Sequence, residues 1–296
     1  MPKLCFIVNP TAGHGRAAKT WKQIEPLASS LGEFAVKFTE HPGHGRELAQ
    51  EAAQAGFDRV VALGGDGTVN EVASGLVGTP AAFGLVPTGT GNDFMKAAGI
   101  PKDPAEAVRA AFQGRRVPVD VGLADGSRYF FNVAGVGFDA EVMRRVNGYG
   151  PVLKAFGGSL PHLMGVVGAL FDFRGVDVEV ELDGRPLAIP KMLLMAVGVG
   201  QYFGGGMKIL PHARIDDGLF DVLWGENLSR LELMGLLAQV FKGAHEGHHK
   251  VHTAQARRVT VRASHPAWIQ VDGEVIGQLP ITLELLPKAL EVLLPG

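Results

Sequence analysis

Three short loops carry the residue types that could do phosphate chemistry: Asn9-Pro10-Thr11-Ala12-Gly13, Gly64-Gly65-Asp66-Gly67-Thr68 and Pro87-Thr88-Gly89-Thr90-Gly91-Asn92-Asp93. In the middle one, two adjacent glycines let the main chain approach a ligand, and Thr68-Val69-Asn70-Glu71 opens a helical pattern whose free N–H groups would face an anion. A carboxylate beside a phosphate repels it unless a cation lies between them. Asp66 therefore implies Mg²⁺, held partly through water. A lone Gly-Gly-Asp-Gly is also the pattern of a plain turn in which Asp66 caps a helix. Three loops in phase argue against that plainer reading.

Each loop follows a short apolar run. Residues 4–8, 60–63 and 83–86 read as strands buried on both faces of a parallel sheet. Helical patterns at 17–31, 46–55, 69–76 and 105–112 alternate with them, the order of a doubly wound α/β layer. All three loops would then meet at the carboxyl ends of the strands, where open α/β sheets bind ligands.

After about residue 117 the period changes. Val176 to Leu182 alternates, Asp183-Gly184 is a hairpin signal, and 186–189 reads as the return strand. Further strand-like runs at 193–199, 219–223, 259–263, 268–271 and 281–285, with helical stretches near 151–172 and 229–243, predict a mainly antiparallel β-sandwich. The expected division is 1–125 and 126–287. The segment 288–296, with its strand pattern 290–294, is expected to return to the first domain.

Composition narrows the function. A chain of 296 residues, 46% hydrophobic and with 28 basic against 30 acidic side chains, can bury two cores, which excludes disorder and a general affinity for nucleic acid. Its 41 glycines are about twice the usual share of roughly 7%, which implies many tight turns. Cys5 is the single cysteine, so a disulfide framework and a cysteine metal site are excluded and a reducing cytoplasm fits. No apolar stretch reaches about 18 residues and no export pattern opens the sequence; a cytoplasmic protein is expected.

Other patterns carry plainer alternatives. No Walker string occurs. Gly13-His14-Gly15-Arg16-Ala17-Ala18 matches a dinucleotide fingerprint, with Glu40 near the end of the next strand, but that reading leaves the other two loops without a role. By itself Val271-Asp272-Gly273-Glu274 is a hairpin turn. His245, His248, His249 and His252 invite a zinc hypothesis, yet only Glu246 stands near them, and a solvated helix end is favoured. Residues 160–173 are apolar and read as a helix packed on the sandwich, with a membrane-dipping surface as the alternative.

Taken together, the three loops resemble the diacylglycerol kinase catalytic domain shared by bacterial soluble lipid kinases, sphingosine kinases and ceramide kinases. The resemblance runs on through Asn132-Val133-Ala134-Gly135-Val136-Gly137-Phe138-Asp139, then Gly204-Gly205-Gly206-Met207, Pro211, Asp217-Gly218-Leu219 and Val271-Asp272-Gly273-Glu274. Gly-Gly-Asp-Gly alone is shared with NAD kinases and phosphofructokinases; the Pro-x-Gly-Thr-x-Asn-Asp-Phe loop ending at Phe94 is similar only to the lipid kinase branch.

The resemblance implies an NAD-kinase-like α/β domain, a β-sandwich and ATP-dependent phosphorylation of a lipid hydroxyl, with diacylglycerol giving phosphatidic acid. Asn9, Pro10, Thr11, Ala12, Gly13, Thr39, Gly65, Asp66, Gly67, Thr68, Val69, Asn70, Glu71 and Thr90 match the family's nucleotide contacts. Asp66 and Asp93 resemble a carboxylate and water network around the catalytic Mg²⁺. Arg214, Asp217 and Leu219 match a further metal position, with Asp217 supplying the carboxylate. Glu274 resembles the proton acceptor, and with the family in view that role is preferred to the plain turn. The expected partners are ATP and a lipid at the membrane surface, visited transiently from the cytoplasm; no nucleic acid is expected, and a homodimer is compatible. The competing readings are an NAD kinase-like enzyme and a non-catalytic lipid-binding module.

Overall fold

The computed structural model describes residues 3–89, 91–148, 168–169 and 174–296. Thr90 and nearly all of the helical stretches expected at 151–172 and 160–173 lie outside the described residues. The chain forms two compact units, Met1–Val121 with Arg214–Gly218 and Leu286–Gly296, and Gly122–Ala213 with Leu219–Leu285.

The first unit runs β1 (Leu4–Val8), α1 (Ala12–Leu31), β2 (Phe34–Phe38), α2 (His44–Gln54), β3 (Arg59–Gly64), α3 (Asp66–Leu76), β4 (Ala82–Pro87), α4 (Asp93–Ala98) and α5 (Pro104–Gln113). Its strands lie parallel in the order β2-β1-β3-β4, with Val8 opposite both Phe38 and Leu63. The direction of winding reverses between β1 and β3, so the loops after these two strands flank the crevice where such sheets take ligands. All residues of β1 are buried, and Phe6 packs against Trp21 of α1 and Phe34 at ring separations of 5.1 and 5.4 Å. The last strand of the chain extends this sheet, Val292 pairing in parallel with Phe83.

Two helix starts differ from expectation. Helical assignment begins at Ala12 instead of residue 17, but Gly13, His14 and Gly15 are left-handed, at φ 60°, 57° and 82°. Regular helix therefore starts only beyond them. Helix α3 starts at Asp66, two residues ahead of Thr68, and its N-cap is Gly65, so Asp66 is not the cap. The six-residue α4 carries no full amphipathic period and was not expected from the sequence.

Strand β5 (Arg115–Ala124) leads into the second unit, which contains β6 (Arg128–Phe130), β7 (Val133–Gly137), α6 (Phe138–Gly148), β8 (Val176–Leu182), β9 (Arg185–Gly198), β10 (Phe220–Glu226), α7 (Arg230–Val240), β11 (Val251–Ala256), β12 (Arg258–Ala263), β13 (Trp268–Val271), β14 (Glu274–Gln278) and the first part of β15 (Ile281–Leu294). The pairing is antiparallel in the order β14-β13-β7-β9-β8-β12-β15, with β10 between β9 and β11. Val178 and Val180 of β8 point into a core with Phe130, Met192, Met195 and Phe220. Asp183 and Gly184, at φ 48° and 80°, make the primed turn that joins β8 to β9.

The histidine cluster is corrected by β11. His245 is buried, its Nε2 2.9 Å from the Ile209 carbonyl, and burial pushes its pKa down. His252 lies in a strand and stacks on Trp224, while His248 and His252 stand beside Glu232 and Glu226. This segment is neither a solvated helix end nor a shared ligand set. A second difference is Arg214–Gly218, which folds with the first unit although the sequence reading put it in the β-rich domain.

Candidate active site

The three glycine loops interlock pairwise at the carboxyl ends of β1, β3 and β4. Asn9 Nδ2 donates to Thr68 Oγ1 at 3.0 Å, joining the first loop to the second. The Asn9 carboxamide oxygen also accepts from the amide and hydroxyl of Thr11, at 3.2 and 2.9 Å. Between the second and third loops the main chains nearly touch: a Cβ on Gly89 would stand 2.8 Å from the Gly65 Cα. Gly13 closes the ring, since a Cβ there would lie 2.7 Å from the Thr88 carbonyl. Glycine is required at these approaches because any side chain would force the loops apart.

Asp66 ties the third loop in place. Its carboxylate accepts the Asn92 amide at 3.2 Å and the Asp93 amide at 3.3 Å, while the residue as a whole is exposed. Burial between the loops raises its pKa and the Asp93 carboxylate adds to this, against the pull of the two amides. The Asp93 side chain is itself buried and pairs with Lys96 at 3.2 Å. Two acids side by side, one held above its ordinary pKa, fit a divalent cation, which lowers the cost of keeping both ionised. Gly65 as N-cap offers no side chain to the first turn of α3. That end of the helix fits an anion such as a phosphate chain.

The other expected nucleotide residues divide into two groups. Pro10, Thr11, Ala12 and Gly67 line the accessible rims of their loops. Thr68 and Val69 are buried, and the Asn70 carboxamide oxygen is 3.3 Å from the Ser74 hydroxyl. Glu71 faces the loop after β2: its two oxygens accept the amides of Gly43 and Gly45 at 2.8 and 3.0 Å. Thr39 is buried at the end of β2, its amide on the Val8 carbonyl at 2.9 Å. These two residues shape the loop 40–43 beside the crevice.

At the expected further metal position, Asp217 is exposed and the Arg214 guanidinium reaches Asp216 at 3.2 Å. Leu219, the residue after Gly218, opens the second segment of the second unit. The sequence reading missed Asp120. Buried at 2% exposure, it accepts the Gly218 amide at 2.7 Å and the Lys288 amide at 2.8 Å, fixing the turn that carries Asp217. An Asp inside the apolar alternation of 117–124 was the available signal.

In the second unit, Val271 to Glu274 is a β-hairpin turn with a built interior. The Asp272 carboxylate accepts three consecutive amides, Phe131, Asn132 and Val133, at 2.7 to 3.2 Å. Gln270 is buried; its carbonyl oxygen accepts the Gly273 amide at 2.7 Å and its amide group donates to Asp139 at 3.0 Å. Glu274 itself is exposed and its carboxylate pairs with Arg128. Burial pushes the Asp139 carboxyl up to about 6. The turn is thus rigid at its base while the Glu274 carboxylate is accessible.

Residues 3–124 match the profile of the diacylglycerol kinase catalytic domain, and 132–294 that of the YegS C-terminal NAD kinase beta sandwich-like domain. A Bacillus subtilis diacylglycerol kinase is 31% identical over 299 residues, covering 100% of this chain and 97% of its own length. A candidate YegS-like lipid kinase of Chromohalobacter salexigens is 34% identical over 261 residues, 87% of this chain and 82% of its own. Among solved structures, a candidate diacylglycerol kinase of Bacillus anthracis superposes with a TM-score of 0.83 at 26% identity, covering 99% and 95% of the two chains. An α/β layer with three interlocked glycine loops, a β-sandwich behind it in sequence, and relatives matched from end to end place this chain in the diacylglycerol kinase family: it is a lipid kinase.

Proposed function

We propose that the chain transfers the γ-phosphate of ATP to a lipid hydroxyl, with diacylglycerol as acceptor and phosphatidic acid as product. The observation that carries this reading is the interlock of the three loops around Asp66 and the uncapped start of α3. Such an arrangement binds a chain of phosphates through backbone N–H groups and leaves a carboxylate beside them for Mg²⁺. The metal, when bound, neutralises charge at the phosphates.

The chain's own residues do the rest. Loop amides orient the triphosphate, and Asp66, with Asp93 next to it, would hold the cation that neutralises the phosphates. Glu274 accepts the proton of the lipid hydroxyl, which must leave as the new P–O bond forms. The first unit holds the nucleotide and the second the lipid. No helix among the described residues is long and apolar enough to cross a membrane.

The test is an incubation of the purified chain with labelled ATP, Mg²⁺ and either diacylglycerol or a total lipid extract. Label in phosphatidic acid is the expected result. Label transferred to NAD and to no lipid would overturn the reading; a different labelled lipid would keep the enzyme class and replace the acceptor.

A further inference from the structure

Helix α7 has two apolar faces. Its start is fixed by a capping box in which the Ser229 hydroxyl accepts the Glu232 amide and the Glu232 carboxylate accepts the Ser229 amide. One face, Leu233, Leu236 and Val240, is buried against the second unit. On the other, Leu231 is 81% exposed, Met234 56% and Phe241, just past the last turn, 62%. With the exposed Ala238 they follow one another at spacings of three, four and three, which is a single stripe along a helix. Phe38, in the other unit, is the one further large apolar side chain of comparable exposure among the described residues. A helix that is apolar all round belongs in apolar surroundings, and here half of it faces outward. Apolar exposure concentrated in this way marks an interaction site.

The exposed charges at the two ends of the stripe are both basic, and the acids near it are paired elsewhere. Arg230 and Lys242, both exposed, stand at its two ends. Glu232 is turned away to Lys250 at 2.9 Å, and Glu246 faces His212 at 3.2 Å. At the foot of the same helix, Arg230 and the exposed Arg174 border a cavity of about 260 Å³ with Phe138, Leu193, Leu228 and Leu233 among its lining. A second copy of the chain is a poor fit, because a two-fold contact through this stripe would bring Arg230 and Lys242 against the same cations. Four side chains also cover far less than the roughly 800 Å² per partner of a stable interface. An anionic bilayer fits both features. Its headgroup boundary accepts Leu, Met and Phe, and its phosphates meet the flanking cations.

We infer that the outward stripe of α7, Leu231, Met234 and Phe241 with Arg230 and Lys242, docks this kinase onto an anionic lipid bilayer. The inference rests on the reading of a membrane lipid as the acceptor, and it assigns where the enzyme meets that membrane. Neither the loops around Asp66 nor the turn at Glu274 contributes a residue to the stripe.

Vesicle flotation tests it, with vesicles of phosphatidylcholine alone or with a third of the lipid replaced by phosphatidylglycerol. The wild-type chain is compared with Leu231→Ser/Phe241→Ser and with Arg230→Gln/Lys242→Gln, all with melting curves matching wild type. Wild type should float with the anionic vesicles, and each double variant should lose about tenfold or more of that binding. Phosphorylation of a short-chain, water-dispersed diacylglycerol should stay within about twofold of wild type, while phosphorylation of the vesicle-borne lipid falls with binding. Unchanged flotation of the serine variant would overturn the inference, as would conversion of a dimer to a monomer by Leu231→Ser/Phe241→Ser with vesicle binding retained. If the wild-type chain floats and phosphorylates neither form of diacylglycerol, the docking surface stands and the acceptor assignment fails.

Discussion

The carboxylate of Asp66 and the backbone amide of Asn92, 26 positions apart, meet at 3.2 Å across two loops. One side chain thus holds the second and third glycine loops in register, and the proposed mechanism asks the same carboxylate to hold a cation.

Asp66→Asn keeps the size of the side chain and one acceptor oxygen, so folding should survive. Turnover should fall by about a thousandfold or more, because metal assistance is worth several kcal/mol. Steady-state rates alongside melting curves check this. A variant within about tenfold of wild type, roughly 1.4 kcal/mol of barrier, removes Asp66 from the metal site.

Gly89→Ala tests the close approach of the second and third loops. The new methyl would sit 2.8 Å from the Gly65 Cα, a main-chain atom that cannot swing aside. Separation of the loops should raise the ATP concentration for half-maximal rate by about tenfold, with a stability loss on the order of the 1–3 kcal/mol of an overpacked site. Titration of ATP against rate and a urea unfolding curve are the measurements.

Glu274→Gln and Asp272→Asn separate chemistry from architecture within one turn. Glu274 is exposed, so its replacement should leave melting unchanged and slow single-turnover transfer by about a hundredfold or more, the usual range for a general base. Asp272 accepts three amides, and its replacement should instead lower the melting temperature. A catalytically normal Glu274→Gln enzyme would take this residue out of the mechanism.

Asp139 predicts a pH dependence of stability. Its folded carboxyl is pushed up to about 6 from an ordinary 3.8, mainly by burial, and among the described residues its Oδ1 has no hydrogen-bond partner. Between those values the folded chain binds more protons than the unfolded one, so stability falls as pH rises through the window and levels off above it. On going from pH 7 to pH 5 the wild-type chain should gain about 1 kcal/mol relative to Asp139→Asn, which lacks this contribution while sharing the opposing one of buried His245. Urea unfolding at the two pH values decides; identical slopes would refute it.

Much of the first unit was legible because its signals are local. Glycine spacing after apolar runs marked the three loops, and β1 shows why: five consecutive buried residues end at the loop itself. What the sequence hid is long-range. Nothing in the neighbourhood of Asp120 says that it binds the amides of Gly218 and Lys288, 98 and 168 positions away. Glu71 matches a nucleotide contact by position, and its hydrogen bonds from the amides of Gly43 and Gly45, 28 and 26 positions away, are equally invisible in the sequence. The histidines misled because β11, Val-His-Thr-Ala-Gln-Ala, is too polar to read as a strand, and its order comes from pairing with β10.

The strand that closes the sequence has a consequence for biosynthesis. Val292 pairs with Phe83, the Ala289 carbonyl takes the Gly78 amide, and Leu293 packs over Gly84. A ribosome that has made residues 3–124, the whole stretch matched by the catalytic-domain profile, has not yet supplied the neighbour of β4. Until residues 289–293 emerge, the β4 edge is bare, an open template for pairing with another nascent chain. The first unit is therefore completed only after the whole second unit has been made, and expression of residues 3–124 as an isolated fragment should give an aggregating product.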